Sequence, residues 1–261
     1  MFYYFGYGSN INLISLKAKG VIPVSSEKAV LKDWKLRFNV QHWFTHEGGM
    51  GNIEPSTDSG NWVEGMIHLC PEEHLPSLDA MESEGVAYKR IEIEVETDNG
   101  PKKALTYVGM PAFLNEECLP TRRYLNIILK GAIQAGLSEN YLFKLQNQVL
   151  KPEETYPDFE PQKDVNKEFN SESISPYKNL TALAGHVFDM SKARRNLQVI
   201  TPLFGGKDMT LFHIKRHDSS TGNEQIEDFL NDRISPAVKN YLNGYLDAYQ
   251  KEFEYVGKYK Y

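Results

Sequence analysis

The sequence predicts an α+β protein in two parts joined by an irregular segment, and three observations carry that prediction. Aromatic or alternating runs that read as strands crowd the stretch from Phe2 to Val108. Beyond it, Tyr124, Ile127, Ile128, Gly131 and Ala135 fall at i, i+3, i+4, i+7 and i+11, one face of a helix. From Lys151 to Pro176 the periodicity stops and Pro152, Pro157, Pro161 and Pro176 appear among many charges, after which regular patterns resume at Leu180. Strands gathered ahead of helices, with a second set of elements after a break, describe an α+β chain of two domains.

Each element has its own reason. Phe2-Tyr3-Tyr4-Phe5 favours a pleated, half-buried strand, and Gly6-Tyr7-Gly8-Ser9-Asn10 breaks it into a tight loop. Ile11 to Leu16 suits a short helix capped by Asn10 or Asn12. Val21–Val24 and Lys28–Val40 read as strands, the second because Trp34, Leu36, Phe38 and Val40 alternate with polar residues. His46-Glu47-Gly48-Gly49-Met50-Gly51-Asn52 reads as a flexible loop before Pro55. Trp62–Leu69 is a further strand, Glu72–Met81 a helix, and Ile91–Thr97 with Lys103–Val108 a hairpin about Asp98-Asn99-Gly100. Gly136 ends the helix that contains Tyr124, and a second helix follows over Glu139–Val149. Lys151 to Pro176 is read as a linker or a surface strap on which Tyr156, Phe159 and Phe169 dock. Leu180–Ser191 reads as strand, glycine break, strand, and Ser235-Pro236 opens a helix lined by Val238, Tyr241, Leu242, Tyr245, Tyr249 and Phe253.

Composition narrows the function classes. The chain has 261 residues, 41% hydrophobic and 25% charged, ordinary for a soluble globular protein. A net charge of −6 gives no general attraction to nucleic acid or anionic membrane. The two cysteines, Cys70 and Cys118, have no metal-type spacing and suit free thiols in a reducing cytoplasm. The N-terminus has no basic region and no long apolar run, so no signal peptide is expected, and no stretch approaches the ~20 apolar residues of a spanning helix.

The Tyr7-Gly8-Ser9-Asn10 loop after a short N-terminal strand resembles the signature of the gamma-glutamyl cyclotransferase family. Two further stretches match in order. Leu78-Asp79-Ala80-Met81-Glu82 with Tyr88-Lys89-Arg90 is similar to the family's Leu-Asp-x-x-Glu…Tyr-x-Arg segment, and Pro120-Thr121-Arg122-Arg123-Tyr124-Leu125 to its Pro-Ser-x-x-Tyr-Leu helix. One such motif is weak, whereas three in order over residues 1–150 are specific. The resemblance implies a mixed β-barrel with flanking helices over residues 1–150, and a cofactor-independent enzyme. Its small-molecule gamma-glutamyl substrate is cleaved to 5-oxoproline and a free amine. The substrate's own α-amine closes the ring, so neither metal nor covalent intermediate is required. It further implies Glu82 as the group that moves protons, with Gly6, Tyr7, Gly8, Ser9, Asn10, Tyr88 and Tyr124 binding substrate. General acid–base work suits a carboxyl in partly apolar surroundings. Glu84 competes for the role: counting from Asp79 selects Glu82, and aligning on Gly85 selects Glu84. The count from Asp79 is preferred, because the helix end fixes the side chain's direction. Weighed against these roles are a solvated acidic face for the glutamates and simple core packing for either tyrosine. A competing reading keeps the cyclotransferase scaffold catalytically silent, with the C-terminal segment carrying haem or a hydrophobic ligand. A third makes the chain a related transferase that removes a gamma-glutamyl protecting group from a biosynthetic intermediate by the same chemistry. No nucleic-acid or membrane partner is expected, and the assembly stays open between monomer and homodimer.

Residues 177–261 resemble the cytochrome b5-like fold, nearest its membrane-associated progesterone receptor branch. The similarity lies in Gly185-His186-Val187-Phe188-Asp189-Met190-Ser191, in Phe204-Gly205-Gly206-Lys207-Asp208-Met209-Thr210, and in Tyr255-Val256-Gly257-Lys258. That resemblance raises haem, and the sequence argues against it. His186 lies on a predicted strand, His213 and His217 read as a surface strand and sit too close together, and Arg194–Pro202 lacks the tyrosine of the branch. No cofactor is expected. The domain plan is therefore 1–150 catalytic, 151–176 linker or strap, and 177–261 accessory.

Overall fold

The aromatic run at the N-terminus is strand β1 (Phe2–Gly6), the seam on which a five-stranded barrel closes. The computed structural model describes residues 1–161 and 165–261, which fall into two units, Met1–Glu153 and Glu154–Tyr261. The first holds β2 (Ser25–Lys32), β3 (Trp34–Gln41), β4 (Gly49–Pro55), β5 (Trp62–Cys70), β6 (Tyr88–Thr97) and β7 (Gly100–Gly109). Its helices are α1 (Leu13–Ala18), α2 (Leu75–Glu82), α3 (Arg122–Gln134) and α4 (Glu139–Gln146). Around the barrel the order is β1-β5-β2-β6-β7, and β1 meets β7 in parallel through Tyr4 and Leu105. β3 and β4 form a separate antiparallel pair.

The two-residue period fills the barrel. Phe5, Ala29, Leu31, Val63, Ile67, Ile93, Val95 and Ala104 share one buried cluster with Tyr124, Leu125 and Ile128 of α3. Each large apolar side chain buried there contributes roughly 1.5–3 kcal/mol. α3 starts where Thr121 accepts a 3.2 Å bond from Tyr124 N and stops where Gly136 takes φ +67°. Its small residue matters as much as its large ones. A Cβ on Gly131 would stand 2.6 Å from Asn12 N, so the helix lies directly against the turn that leads out of β1. Asn12 in turn caps α1, accepting from Ile14 N (2.9 Å) and Ser15 N (3.3 Å), and donates to Ile127 O of α3 (3.3 Å).

Several expectations need correction. Val21–Val24 is not a strand: Pro23 supplies no ladder donor, and β2 begins at Ser25. Lys28–Val40 is two strands in two different sheets, broken at Asp33, whose φ of 61° turns the chain. The stretch 46–52 is not a flexible loop, since Gly49 to Asn52 belong to β4. The glycine there answers a close approach, because a Cβ on Gly49 would fall 2.0 Å from Phe38 O on β3.

The second unit holds β8 (Glu168–Phe169), β9 (Leu180–Leu183), β10 (His186–Asp189), β11 (Lys207–Asp208) and β12 (Glu254–Tyr259). They form one sheet in the order β11-β9-β10-β12-β8. Its helices are α5 (Ser171–Ile174), α6 (Thr201–Phe204), α7 (Thr210–Lys215), α8 (Ile226–Leu230) and α9 (Pro236–Glu252). Ala184 and Gly185, both at positive φ, make the tight turn between β9 and β10. Ser235 caps α9 through Val238 N at 3.3 Å, and Val238, Tyr241, Leu242, Tyr245 and Tyr249 are its buried face. The span read as linker or strap carries β8 and α5, and Phe159 packs its ring against His186 at 4.7 Å. Residues 162–164 of that span lie outside the described residues. His213 and His217 are not on a surface strand. Thr210, His213, Ile214 and His217 are buried at helical spacing, the first three on α7.

Gly131 gives a test of the α3 contact. Glycine to alanine in an exposed helix interior gains about 1 kcal/mol. Here the methyl meets backbone, so Gly131→Ala is expected to cost about 1–3 kcal/mol, read as a lowered midpoint in urea unfolding.

Candidate active site

The turn leaving β1 brings Tyr7, Gly8, Ser9 and Asn10 to a small cavity that opens to solvent. Tyr4, Gly51, Glu82, Tyr88, Tyr107 and Tyr124 complete its lining. The barrel supplies Tyr4, Tyr88 and Tyr107, and β4, α2 and α3 supply Gly51, Glu82 and Tyr124. Glu82 is the last residue of α2, and Ser83 after it takes a left-handed φ of 51° that turns the chain away.

Asn10 ties the lining together. Its Nδ2 donates to Glu82 Oε1 at 2.9 Å and to Tyr4 Oη at 2.6 Å. Its Oδ1 accepts from Lys19 Nζ at 2.6 Å, and the same ammonium lies 3.3 Å from Ser9 Oγ and 3.4 Å from Glu82 Oε1. Its carbonyl oxygen takes a 3.0 Å bond from His68 Nε2. A carbonyl only accepts, so His68 carries its proton on Nε2 and accepts at Nδ1 from Ser26 Oγ–H, 2.7 Å away. Tyr4, His68 and Ser26 are neighbours across β1, β5 and β2, so this chain follows the sheet register. Full burial pushes His68 down to about 4, against the bond to Asn10 that pulls the other way.

The five tyrosines serve as neutral donors and acceptors. Burial raises the pKa of Tyr4, Tyr7, Tyr88, Tyr107 and Tyr124, and the charge of Glu82 adds to each. Tyr7 Oη donates to Tyr107 O (2.6 Å), Tyr88 Oη donates to Gly51 O (2.8 Å), and Tyr124 Oη accepts from Gly51 N (3.1 Å). Tyr107 Oη donates to Asp79 Oδ1 (2.6 Å), whose other oxygen is paired with Arg90. The Asp79–Arg90 pair therefore fastens the end of α2 to the barrel wall one turn before Glu82.

A family model described as the AIG2-like family matches residues 62–145. Over 148 residues the chain is 31% identical to "Gamma-glutamylcyclotransferase" of Bos taurus, covering 56% of this chain and 78% of that one. Over 159 residues it is 33% identical to the protein of the same name from Mus musculus, covering 59% and 80%. The chain belongs to the gamma-glutamylcyclotransferase family. The likeness extends to the fold. A solved structure of the uncharacterized protein loc79017 from Homo sapiens is 29% identical, covers 59% of this chain and 90% of that one, and superposes with a TM-score of 0.51.

Of the residues singled out by resemblance to the gamma-glutamylcyclotransferase family, Tyr7, Gly8, Ser9, Asn10, Glu82, Tyr88 and Tyr124 converge on this one cavity. Gly6 stands behind it as the last residue of β1, where a Cβ would press on Asn10 at 3.2 Å. Glu84 is exposed and outside the lining, because the left-handed turn at Ser83 separates it from Glu82. Sequence reasoning missed Tyr4, Gly51, Tyr107, Lys19 and His68. For Tyr4 a signal existed, since it shares the aromatic strand that opens the chain. Lys19 and His68 meet partners 63 and 58 residues away, which no local pattern reveals. In the second unit His213 packs against Tyr245 at 3.8 Å with Phe212 at 5.3 Å, and His186 meets Phe159 in an edge contact at 4.7 Å.

His68 makes stability depend on pH with a definite sign. An unfolded histidine titrates near 6.5, and here the folded group titrates near 4. Between those values the unfolded chain binds more protons, so acidification withdraws stability, up to about 3 kcal/mol from this one group. Urea unfolding of wild type and His68→Gln from pH 7 to 4.5 should show the wild-type advantage shrinking as pH falls.

Proposed function

We propose that this chain is a gamma-glutamyl cyclotransferase that releases 5-oxoproline and a free amine or amino acid, with Glu82 as the general acid–base group. The names of its relatives support a gamma-glutamylcyclotransferase-like activity at 31–33% identity. The observation that carries the assignment to this site is the lining itself. Glu82 is its one carboxylate among the described residues, and the tyrosines around it are held neutral by burial.

The chemistry follows from the substrate. The α-ammonium of the glutamyl group passes a proton to Glu82, and the freed amine attacks the γ-carbonyl carbon. A new N–C bond closes the five-membered ring while the C–N bond to the departing amine breaks. Glu82 then returns the proton to that nitrogen, and the second proton that the ring nitrogen sheds on becoming an amide passes the same way, so that the amine leaves as an ammonium and no proton is gained or lost. The nucleophile is already tethered to the carbonyl, so what the site adds is to hold the glutamyl chain folded with the two reacting atoms in near-attack geometry. The Gly6–Asn10 loop holds the glutamyl part and the developing oxyanion, and Tyr88 and Tyr124 shape the pocket. The second unit is a cytochrome b5-like accessory module in this proposal, supported by its β9–β10 hairpin, the passage from β11 into α7 at Lys207–Thr210 and the closing strand β12.

A panel of gamma-glutamyl peptides and amines assayed for 5-oxoproline tests the activity. Glu82→Gln keeps the shape and removes the base, so turnover should fall at least ~10²-fold, whereas Glu84→Gln should stay near wild type. Gly8→Val should abolish turnover in a folded protein. A Cβ at Gly8 stands 3.0 Å from Tyr124 Oη, and the rest of the side chain fills the space the glutamyl group needs. Retained activity in Gly8→Val would remove the loop from the mechanism.

A further inference from the structure

Resting on the cyclotransferase reading, we propose that Lys19 is a positioning residue that tethers Oε1 of Glu82 and supplies its opposing charge, leaving Oε2 as the atom that moves the proton. Lys19 follows α1, and its side chain is only 7% exposed. A buried ammonium is costly unless its protons meet acceptors. The acceptors it meets are Ser9 Oγ, Asn10 Oδ1 and Glu82 Oε1, at 3.3, 2.6 and 3.4 Å, all of them on the cavity lining. Asn10 Nδ2 also bonds to Oε1, at 2.9 Å. Both donors therefore fall on one oxygen, and Oε2 takes no protein hydrogen bond among the described residues.

The other groups facing Glu82 do not share this task. Tyr4 from β1, Tyr7 from the loop, Tyr88 from β6, Tyr107 from β7 and Tyr124 from α3 are neutral. On α2 itself Asp79 is matched by Arg90, and on α3 Arg123 is matched by Glu47. Among the described residues, Lys19 is the cation in contact with the carboxylate. It fixes one oxygen and couples the substrate loop to the proton-transfer group. In the reaction Oε2 takes the proton from the α-ammonium and returns it to the departing nitrogen, while Oε1 stays bound to Asn10 and Lys19.

The test compares Lys19→Met, Lys19→Gln and Lys19→Arg with wild type in the full chain. The acid limb of kcat/KM for 5-oxoproline release should move to higher pH by about one unit or more in both neutral variants, and return in Lys19→Arg. Glutamine keeps donors for Ser9 and Asn10, so it guards against a misfolded Lys19→Met and separates charge from structure. An unmoved acid limb in a folded Lys19→Gln protein would overturn the proposal. Carboxyl 13C NMR of the free protein, with the Glu82 signal assigned by its loss in Glu82→Gln, reads the same displacement without turnover. A wild type that releases no 5-oxoproline would end the cyclotransferase reading, and the NMR comparison would still decide the role of Lys19. A Glu82 signal that titrates identically in wild type and Lys19→Gln would refute it.

Discussion

The site depends on one side chain and its own backbone. Asn10 bonds to Glu82 and Tyr4 through Nδ2, to Lys19 through Oδ1, and to His68 through its carbonyl. It is 4% exposed, and an unmatched amide buried to that degree would cost roughly 1–3 kcal/mol per missing bond. Its fixed position therefore sets the positions of the rest. The carboxylate, the ammonium and the loop main chain are held by a single residue whose backbone is pinned to β5.

The barrel supplies the rigidity behind it. β1 and β5 carry Tyr4 and His68 in register, and Gly65 on β5 permits the two strands to approach, since a Cβ there would meet Gly6 O at 2.4 Å. From the other side, Gly131 allows α3 to lie against the turn that ends in Asn12. Packing, rather than local loop preference, thus determines the conformation of the Gly-rich turn. α2 arrives independently and is fastened by Asp79 to Tyr107 and Arg90, so that its last residue points a carboxylate at Asn10. Preorganisation of this kind suits a reaction whose chemistry lies within the substrate, where orientation and proton transfer are what remains to be supplied.

Much of this was legible in the sequence, and the failures have physical causes. The alternation in Trp34–Val40 and Trp62–Leu69 marked strands, the i, i+3, i+4 spacing after Tyr124 marked α3, and counting from Asp79 reached the glutamate that enters the cavity. Glycine misled at Gly49, because a residue needed for close strand approach looks like a residue needed for a loop. Asp33 hid a sheet change inside one alternating run, since nothing in its identity demands φ of 61°. His213 and His217 were assigned to the wrong element because charged neighbours obscured a four-residue period. Lys19 and His68 were invisible for a different reason. A lysine beyond a short helix and a histidine in a strand acquire meaning only when distant segments meet.

In the proposed reaction the ring closes from within the substrate, and no water attacks its γ-carbonyl. Turnover of a gamma-glutamyl peptide in H2 18O, with products resolved by mass spectrometry, tests it most directly. The expected products are 5-oxoproline free of solvent oxygen and the released amine. Glutamate carrying 18O in its γ-carboxylate as the first-formed product would contradict it.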